Sequence, residues 1–168
     1  MSALKFPFVR IDDRLVHGQV VEGWIPFLRA DLVLVASDAA AQDETQSILM
    51  RLALPDEVEL CVMKAAKAAR HPAFAEAGAR RTLVLVDGPL AALELLEAGA
   101  RFDEVNVGGL HYTAGRVQLG KAIFLSAADE EALRGIAARG VRLSGRALPD
   151  DPVLDVLALI QGRSGGAS

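Results

Sequence analysis

The stretch RIDDRLVHGQV, residues 10–20, decides the fold prediction because it places two arginines, two aspartates and a histidine between two apolar segments. The segment before it, residues 4–11, has the apolar character of a strand. The apolar positions after it, residues 20–28, recur at the spacing of a helix. The charged stretch is therefore predicted where a first strand passes into a first helix. In an open α/β sheet this junction lies at the carboxyl edge of the strands, where ligands bind.

Length and composition predict one domain outside the membrane. The 168 residues suffice for one hydrophobic core and are too few for two domains of ordinary size. Although 52% of the residues are hydrophobic, they occur in runs such as residues 31–37, well below the ~20 residues of a membrane helix. The N-terminus lacks the basic and apolar segments of a secretory signal, which predicts a cytoplasmic protein.

The net charge and the cysteine count narrow the functional classes further. A net charge of −4 argues against a broad nucleic-acid-binding surface, which needs clustered lysine and arginine. The single cysteine, Cys61, excludes an internal disulfide and suits a reducing compartment. Because it stands in an apolar segment, Cys61 is interpreted as a buried strand residue.

The rest of the chain alternates between strand character and helix character. The predicted strands are residues 31–38, 57–64, 81–88, 104–107 and 141–148, with an extended segment at 117–126. The predicted helices are residues 39–53, 65–77, 89–99, 127–140 and 153–160, and the second of them is predicted to be interrupted near Pro72. One face of helix 39–53 carries Thr45, Ile48, Leu49 and Leu52. The continuous apolarity of strands 31–38 and 81–88 is typical of strands buried on both faces of a parallel sheet.

This alternation predicts an α/β fold, a single domain with an open, mainly parallel, doubly wound sheet and helices on both faces. Ser126 is predicted to cap the helix that follows it, and Gly140 to end that helix. Residues 1–161 are assigned to the domain. Residues 162–168, GRSGGAS, are predicted to form a flexible C-terminal tail.

His17 is the strongest candidate for chemistry in the opening stretch. A neutral imidazole nitrogen is a good nucleophile near neutral pH. Arg10 and Arg14 are permanent cations whose planar donor groups suit phosphate oxygens. Gly18 has no side chain to obstruct an incoming group, and a helix that starts near Gln19 presents free N–H groups to an anion. Together these residues suit holding a phosphoryl group on the histidine.

The two aspartates of the stretch, Asp12 and Asp13, have two interpretations. Either carboxylate could orient the imidazole by accepting a hydrogen bond, or hold the arginines in place. The alternative for the whole stretch is structural, a surface ion-pair network of the aspartates and arginines in which His17 only closes the loop.

The opening stretch, followed by VEGW at residues 21–24, resembles the active-site segment of the IIB component of the mannose/sorbose family of the phosphoenolpyruvate-dependent sugar phosphotransferase system. Further similar segments follow in similar order, namely VASD (35–38), LALPDEV (52–58), NVGG (106–109) and LPDD (148–151). The resemblance covers residues 6–160. It implies an open, mostly parallel sheet with helices on both sides.

The resemblance also implies a function, that of a phosphohistidine carrier. His17 would take a phosphoryl group on Nδ1 from a phosphohistidine of a IIA partner and pass it to a sugar bound in a membrane IIC/IID permease. Arg10 and Arg14 match two motif arginines that are expected to neutralise the transferring group. No metal or cofactor is required. The chain would be a phosphotransferase, a kinase of sugar uptake. It would lie in the cytoplasm, peripheral to the inner membrane through the permease. Whether it forms a homodimer stays open.

Two further strand ends carry candidates for the rim of the site. In a doubly wound sheet both ends lie at the carboxyl edge beside His17. The candidates are Asp87, Gly88, Asn106, Gly108 and Gly109. Ordinary tight turns are the alternative interpretation. The other histidines, His71 and His111, lack partners at metal-ligand spacing and are interpreted as surface residues, although His111 could lie near the site.

Three rival functions stay open at this point. A receiver-type signalling domain carries paired aspartates after its first strand, but it takes phosphate on an aspartate that ends the third strand, where this chain has Met63 and Lys64. A nucleotide-binding enzyme needs a glycine-rich loop after its first strand, and neither G-x-G-x-x-G nor G-x-x-x-x-G-K-[ST] occurs there. A regulatory phosphocarrier would use the same site without coupling to transport.

Overall fold

Strands and helices alternate along the part of the chain that the computed structural model describes, residues 4–75 and 80–165. The strands are β1 (Phe8–Asp12), β2 (Leu32–Ala36), β3 (Glu59–Met63), β4 (Thr82–Val86), β5 (Glu104–Gly109), β6 (Val117–Gly120), β7 (Ile123–Leu125), β8 (Arg142–Gly145) and β9 (Leu154–Asp155). The helices are α1 (Ile25–Leu28), α2 (Asp38–Ala41), α3 (Glu44–Ala53), α4 (Ala65–Ala68), α5 (Pro72–Ala75), α6 (Pro89–Glu97), α7 (Ala127–Ala138) and α8 (Val156–Gly165). A π-helical segment, Val20–Trp24, leads directly into α1. In these ranges no helix combines the length and the apolarity needed to cross a membrane.

A seven-stranded sheet has the order β3-β2-β4-β1-β5-β8-β9. Its neighbouring strands run parallel, except that β9 is antiparallel to β8. β1 lies between β4 and β5, so the carboxyl end of β1 is flanked by strand ends on both sides. The predicted fold class, a single-domain α/β fold with an open, mainly parallel, doubly wound sheet, is confirmed.

Hydrophobic cores lie on both faces of this sheet. Every residue of β2 and β4 is buried, as their continuous apolarity predicts. On one face Val86 belongs to the same core as Leu133 of α7. On the other face Leu85 belongs to the same core as Trp24, which is fully buried. Burying each such side chain contributes roughly 1.5–3 kcal/mol to stability.

Two predicted segments are divided in the structure. Residues 39–53 form α2 and then α3, because the Asp43 side chain accepts a hydrogen bond from the N–H of Gln46 and so caps a new helix. The extended segment 117–126 folds into an antiparallel hairpin of β6 and β7. Ser126 caps α7 as predicted, in a reciprocal arrangement with Asp129.

Residues 65–77 and the C-terminal tail depart only in part from the predicted elements. The predicted helix 65–77 is interrupted near Pro72 as expected and forms α4 and α5, and its residues 76 and 77 lie outside the described residues. The predicted flexible tail is helical as far as Gly165, and residues 166–168 lie outside the described residues. Burial of Ile160 and an ion pair between Arg163 and Glu130 at 2.7 Å hold α8 against α7.

One face of α3 points away from the protein. Its residues Thr45, Ile48, Leu49 and Leu52, which we call the α3 stripe, share a face as predicted, and all four are exposed. Met50 faces the core instead. The neighbouring β3 is an edge strand of the sheet, and for this reason Cys61 is half-buried rather than buried as predicted.

Candidate functional site

The chain reverses direction directly after β1, in residues 13–19, which we call the β1 loop. The N–H of Asp13 donates to the carbonyl of Gly109 on β5 at 2.9 Å, and the N–H of Leu15 donates to the carbonyl of Asp12 at 3.0 Å. Leu15 has a left-handed backbone, with φ of +58°, and a buried side chain. The left-handed conformation costs ~1–2 kcal/mol, and burial of the leucine offsets this with roughly 1.5–3 kcal/mol. The loop therefore returns His17 to the end of the strand.

His17 is held by the last residue of β1. Its Nε2 atom lies 2.8 Å from Oδ2 of Asp12. The side chain of Asp12 is fully buried, whereas 14% of the His17 side chain is exposed. Burial by itself raises the pKa of Asp12, but the hydrogen bond from His17 and the charge of Arg10 outweigh it, so the pKa lies below its ordinary value. The ionised carboxylate binds Nε2 and leaves Nδ1 as the ring nitrogen that Asp12 does not occupy.

Arg10 lies behind Asp12 and is fully buried. Its Nη2 atom donates to Oδ2 of Asp12 at 3.1 Å, and its Nη1 atom donates to Oδ1 of Asn106 at 2.6 Å. The same two nitrogens also donate to the carbonyls of Ala147 and Arg146 at 3.0 and 2.9 Å. Burial lowers the pKa of Arg10 to about 10 in spite of the charge of Asp12, and this arginine stays protonated at neutral pH.

Two glycines and a tryptophan shape the space around this buried ion pair. Gly108 lies so close to the guanidinium of Arg10 that a Cβ atom would overlap it. A Cβ atom on Gly109 would lie 3.2 Å from Oδ1 of Asp12. The guanidinium carbon of Arg10 lies 4.7 Å from the ring centroid of Trp24, which adds a cation–π contact. The two glycines at the end of β5 thus make room for the charges behind His17.

Asp13 binds the segment between β5 and β6. Its Oδ1 atom lies 2.6 Å from Nδ1 of His111, and its Oδ2 atom accepts the backbone N–H of His111 at 2.8 Å. Arg116 lies 3.5 Å from the same carboxylate and 3.4 Å from that of Asp129 on α7. Asp13 therefore joins the β1 loop to the start of α7. Its carboxylate contacts His111 rather than His17.

Arg14 forms the exposed side of the β1 loop. Its backbone N–H donates to Oδ1 of Asp12 at 3.1 Å, which fixes the position of its main chain. Its guanidinium donates to Oε1 of the exposed Gln19 at 3.3 Å, a long hydrogen bond between two exposed side chains. Because this hydrogen bond is weak, the Arg14 guanidinium can exchange it for a contact with an anion at little cost in free energy.

The start of the helix supplies further donors beside His17. The N–H of Val20 donates to the carbonyl of His17 at 3.0 Å, which begins the helical hydrogen bonding. The N–H groups of Gly18 and Gln19 precede this first bond, and such groups have no intrahelical partner. A Cβ atom on Gly18 would meet nothing within 4 Å. The exposed surface at His17 is therefore open and has cationic and N–H donors at its edge.

Comparison with known proteins identifies the family. A family model described as "PTS system sorbose subfamily IIB component" matches residues 6–165. The chain belongs to this family. IIB components are phosphotransferases of sugar uptake by the phosphotransferase system, and they work with IIA and with membrane IIC and IID components.

Individual relatives are similar to this IIB component over most of its length. It is 34% identical to the fructose-specific EIIB component of Bacillus subtilis, over 90% of this chain and 93% of that protein. It is 32% identical to the N-acetylgalactosamine-specific phosphotransferase enzyme IIB component 2 of Escherichia coli, over 90% of this chain and 96% of that protein. It is also 34% identical to the mannose-specific EIIAB component of Escherichia coli, of which it covers 47%.

Solved structures agree with this assignment. The IIBSor domain of the sorbose permease from Klebsiella pneumoniae superposes with a TM-score of 0.82 at 30% identity, over 92% of this chain and 95% of that chain. A PTS-dependent N-acetyl-galactosamine IIB component from Streptococcus pyogenes superposes with a TM-score of 0.83 at 27% identity, over 94% and 99% of the two chains. The family predicted from the opening stretch and the predicted fold are confirmed.

The structure of the IIB component places Arg10 differently from the expectation. We expected Arg10 to neutralise the transferring group directly, as Arg14 would. Its two Nη atoms instead bind Asp12, Asn106 and main-chain carbonyls, in a site with no exposed surface. Arg10 therefore contacts Asp12, and Asp12 contacts His17.

The candidates for the rim also divide into two groups. Asn106, Gly108 and Gly109 lie behind His17, where they surround Arg10 and Asp12. Asp87 accepts a hydrogen bond from the hydroxyl of Ser37 at 2.6 Å, which joins the ends of β4 and β2. Gly88 precedes α6 in an extended conformation.

Sequence reasoning missed the turn after β8, whose carbonyls at residues 146 and 147 bind Arg10. Its only signal in the sequence is the LPDD segment at 148–151, which follows these carbonyls directly. The sequence interprets His111 as a surface residue that could lie near the site, and it does not predict the pairing of His111 with Asp13.

Proposed function

We propose that this IIB component carries a phosphoryl group on Nδ1 of His17, taking it from a phosphohistidine of a IIA partner and passing it to a sugar bound by the IIC/IID permease. The observation that carries the proposal is the hydrogen bond of 2.8 Å between Nε2 of His17 and the buried Asp12. This bond selects one ring nitrogen as the acceptor and holds the ring in one orientation.

The same hydrogen bond also determines where the imidazole proton lies during the transfer step. With its proton on Nε2 and shared with Asp12, the neutral imidazole has a lone pair on Nδ1. The P–N bond to the donor histidine breaks as the P–N bond to Nδ1 of His17 forms, and the Nε2 proton stays on His17. The Asp12 carboxylate stabilises the positive charge that develops on the ring, a role like that of the aspartate in hydrolase triads.

Arg14 and the start of the helix are the groups that contact the phosphoryl oxygens in this proposal. Phosphoryl transfer passes through a loose transition state, in which catalysis is mainly positioning and charge stabilisation. The exposed Arg14 guanidinium and the N–H groups of Gly18 and Gln19 supply both without a metal. Arg10 keeps Asp12 ionised and in place, and so supports the ring of His17 from behind.

The family supports the choice of partner and substrate in this proposal. The relatives are named for fructose, mannose, N-acetylgalactosamine and sorbose, so the acceptor class is a sugar. We place the choice among sugars in the permease, because the surface beside His17 is open at Gly18. The carrier would work in the cytoplasm and contact the inner membrane through the permease.

A labelling experiment with the phosphorylated IIA partner tests the proposal. We expect acid-labile, base-stable label on the wild type, because a phosphohistidine is hydrolysed in acid and survives base. His17→Ala should take up no label, whereas the matched control His71→Ala, which removes a histidine outside the site, should be labelled at the wild-type rate. Nitrogen NMR of the labelled protein should place the phosphoryl group on Nδ1.

Two outcomes would refute the proposal. Label on His17→Ala at the normal rate would remove His17 as the acceptor. Base-labile label would indicate an acyl phosphate on an aspartate, as in a receiver-type domain. Onward transfer to sugar in vesicles that contain the IIC and IID components distinguishes a transport carrier from a regulatory carrier, which would keep the label.

A further inference from the structure

One face of β5 and β8 lies outside both hydrophobic cores. Val105 and Leu143 point to the core that contains α7. Because side chains alternate along a strand, Asn106 and Ser144, which are partners in the parallel register, point to the other face. In the described part of the chain, the core on that face holds residues of β2 and β4 but none of β5 or β8. The sheet is therefore open beside Asn106 and Ser144.

A cleft lies over this open part of the sheet. Its lining includes Asn106 and Ser144 at the bottom, and Phe8, Phe27 and Arg146 around them. We call the space between these five residues the β5–β8 cleft. It belongs to an open cavity of about 1060 Å³ that continues to the amino ends of the two strands. Apolar and aromatic walls with a few convergent polar groups are the usual lining of a small-molecule site.

Asn106 brings a buried donor to the bottom of the cleft. Only 2% of this residue is exposed. Its Oδ1 atom accepts the Nη1 group of Arg10 at 2.6 Å, and since a guanidinium only donates, the contacting atom is the amide oxygen. Within the described residues the amide nitrogen, Nδ2, donates to no group. A buried donor without a partner lowers stability, so Nδ2 favours a ligand that brings an acceptor.

Ser144 places a second donor beside this amide. The residue is 8% exposed, and its hydroxyl donates to the carbonyl of Val105 at 3.5 Å. A hydrogen bond of this length is weak, so the hydroxyl can turn to a closer acceptor at little cost. Asn106 and Ser144 therefore offer an N–H and an O–H donor from adjacent strands.

Arg146 adds a positive charge that no carboxylate balances. Its Nη1 atom donates to the carbonyl of Pro149 at 2.7 Å, and it forms no ion pair with any described carboxylate. Its guanidinium carbon lies 5.2 Å from the ring centroid of Trp24 and 5.6 Å from that of Phe27. Arg10 contacts the same indole at 4.7 Å. Two cations on one indole repel each other, and an anion beside Arg146 reduces this repulsion.

The carboxylates that line the wider cavity are engaged with other groups. Asp103 and Glu104 form ion pairs with a lysine and an arginine at 3.1 and 2.9 Å. Asp155 caps α8, because its Oδ1 atom accepts the N–H of Ala158 at 3.0 Å. The unbalanced charge at the bottom of the cleft is therefore the positive charge of Arg146.

We propose that the β5–β8 cleft binds a small organic carboxylate, whose apolar body lies against Phe8 and Phe27. The two carboxylate oxygens match the planar donor group of Arg146, and they can also accept from Asn106 and Ser144. A phosphate suits the cleft less, because its second negative charge would face the carboxylates of the wider cavity. The aromatic walls favour a ligand with an apolar ring or chain over a bare inorganic anion.

The cleft is separate from the surface of His17. Arg10 and Asp12 lie between Asn106 and the histidine in the chain of contacts described above. Carboxylate binding is measured on the unphosphorylated chain without a IIA partner. A failure of this proposal therefore leaves the proposed function untouched, and a failure of the labelling experiment leaves the cleft untouched.

Titration of the ¹⁵N-labelled full chain with benzoate, followed by ¹H–¹⁵N correlation NMR, tests the cleft. We expect the side-chain NH₂ signals of Asn106 and the backbone amide of Ser144 to shift and saturate, with a Kd of about 1 mM for so small a probe. Benzamide has the same ring without the charge and should bind at least about tenfold more weakly. This comparison uses the wild type and needs no substitution.

Substitutions of Arg146 test the origin of the affinity. Arg146→Met keeps the packing on Trp24 and should raise the Kd for benzoate by about tenfold or more, whereas Arg146→Lys should recover part of the loss. The matched control is Arg139→Met, which removes a cation from an exposed ion pair with Glu97 at 3.9 Å and should bind benzoate like the wild type.

Three results would overturn the proposal. The first is the lack of a saturable shift of the Asn106 NH₂ signals up to about 20 mM benzoate, far above the expected Kd. The second is equal binding of benzoate and benzamide, which would remove the carboxylate from recognition. The third is equal benzoate affinity of Arg146→Met and Arg139→Met, which would show that the charge of Arg146 does not hold the anion.

Discussion

Gly108 lies directly against the guanidinium of Arg10, with no room for a Cβ atom between them. The glycine belongs to β5 and the arginine to β1, and the two strands are paired in the sheet. His17 is thus supported by a chain of contacts from Gly108 through Arg10 and Asp12. In the proposed function, these contacts from the centre of the sheet hold the imidazole in one orientation.

Gly108→Ala should destabilise the protein by about 1–3 kcal/mol, the usual cost of an overpacked core. The new methyl group must displace the Arg10 guanidinium, whose other sides are held by Asp12, Asn106 and main-chain carbonyls. Urea unfolding measures the change. Gly18→Ala is the matched control for stability, since its Cβ would enter open space, and it should change stability by less than ~1 kcal/mol. Equal effects of the two substitutions would contradict the packing described here.

The two arginines of the opening stretch should respond to substitution in opposite ways. Arg14→Ala should leave the free energy of unfolding within ~0.5 kcal/mol of the wild type, because the side chain is exposed. It should slow phosphoryl transfer by about 10²–10³-fold, the usual cost of losing one charge-stabilising donor. Arg10→Met should instead lower stability by about 3–5 kcal/mol, because Asp12 would be left as a buried charge without its partner.

Unfolding and single-turnover transfer rates, measured on the same preparations, separate these effects. Wild-type transfer by Arg14→Ala would remove Arg14 from the mechanism. An Arg10→Met variant with the stability and the transfer rate of the wild type would contradict the support of Asp12 by Arg10.

Asp12 makes part of the stability depend on pH. Its pKa in the folded state lies below the ordinary value, so the unfolded chain binds the proton more readily. The contribution of Asp12 is therefore fully present above the unfolded pKa of ~3.9 and is lost as the pH falls through the lower folded pKa. We expect the unfolding free energy of Asp12→Asn to fall less steeply with decreasing pH below about 4 than that of the wild type, by at most ~1.4 kcal/mol per pH unit. Equal slopes for Asp12→Asn and the wild type would mean that folding does not lower the pKa of Asp12.

The sequence predicted the fold and the position of His17 because both depend on local patterns. Two continuous apolar runs identify β2 and β4 as inner strands, and strand–helix alternation implies a parallel sheet. The charge-rich stretch then falls at the carboxyl edge by topology alone. The family motif added the expectation that the histidine carries a phosphoryl group.

Burial of Arg10 could not be predicted in this way, because its partners are distant in sequence. Asn106 is separated from Arg10 by 96 residues and the Arg146 carbonyl by 136 residues. A motif shows that an arginine is present, but only the pairing of β1, β5 and β8 shows that it is enclosed.

Helical periodicity likewise does not show which face of a helix is buried. It placed Ile48, Leu49 and Leu52 on one face, but the sheet decides whether that face is the inner or the outer one.

Arg116 should affect transfer although it lies outside the opening stretch. It bridges Asp13 of the β1 loop and Asp129 of α7 at 3.5 and 3.4 Å, and its Nη1 atom donates to the carbonyl of His111 at 2.8 Å. Arg116→Met keeps most of the side-chain volume and removes the bridge, so the β1 loop loses one of its attachments. Misplacement of His17 and Arg14 by a fraction of an ångström should slow transfer by about 10- to 100-fold, with the loss in the single-turnover rate rather than in affinity for the IIA partner.

Arg116→Lys should restore part of the rate, since an ammonium can still reach one carboxylate. The matched control is Arg142→Met, which removes an exposed ion pair with Glu104 at the start of β8 and should transfer at the wild-type rate. If Arg116→Met weakens IIA binding and leaves the single-turnover rate unchanged, Arg116 belongs to the partner surface and the β1 loop is positioned without it.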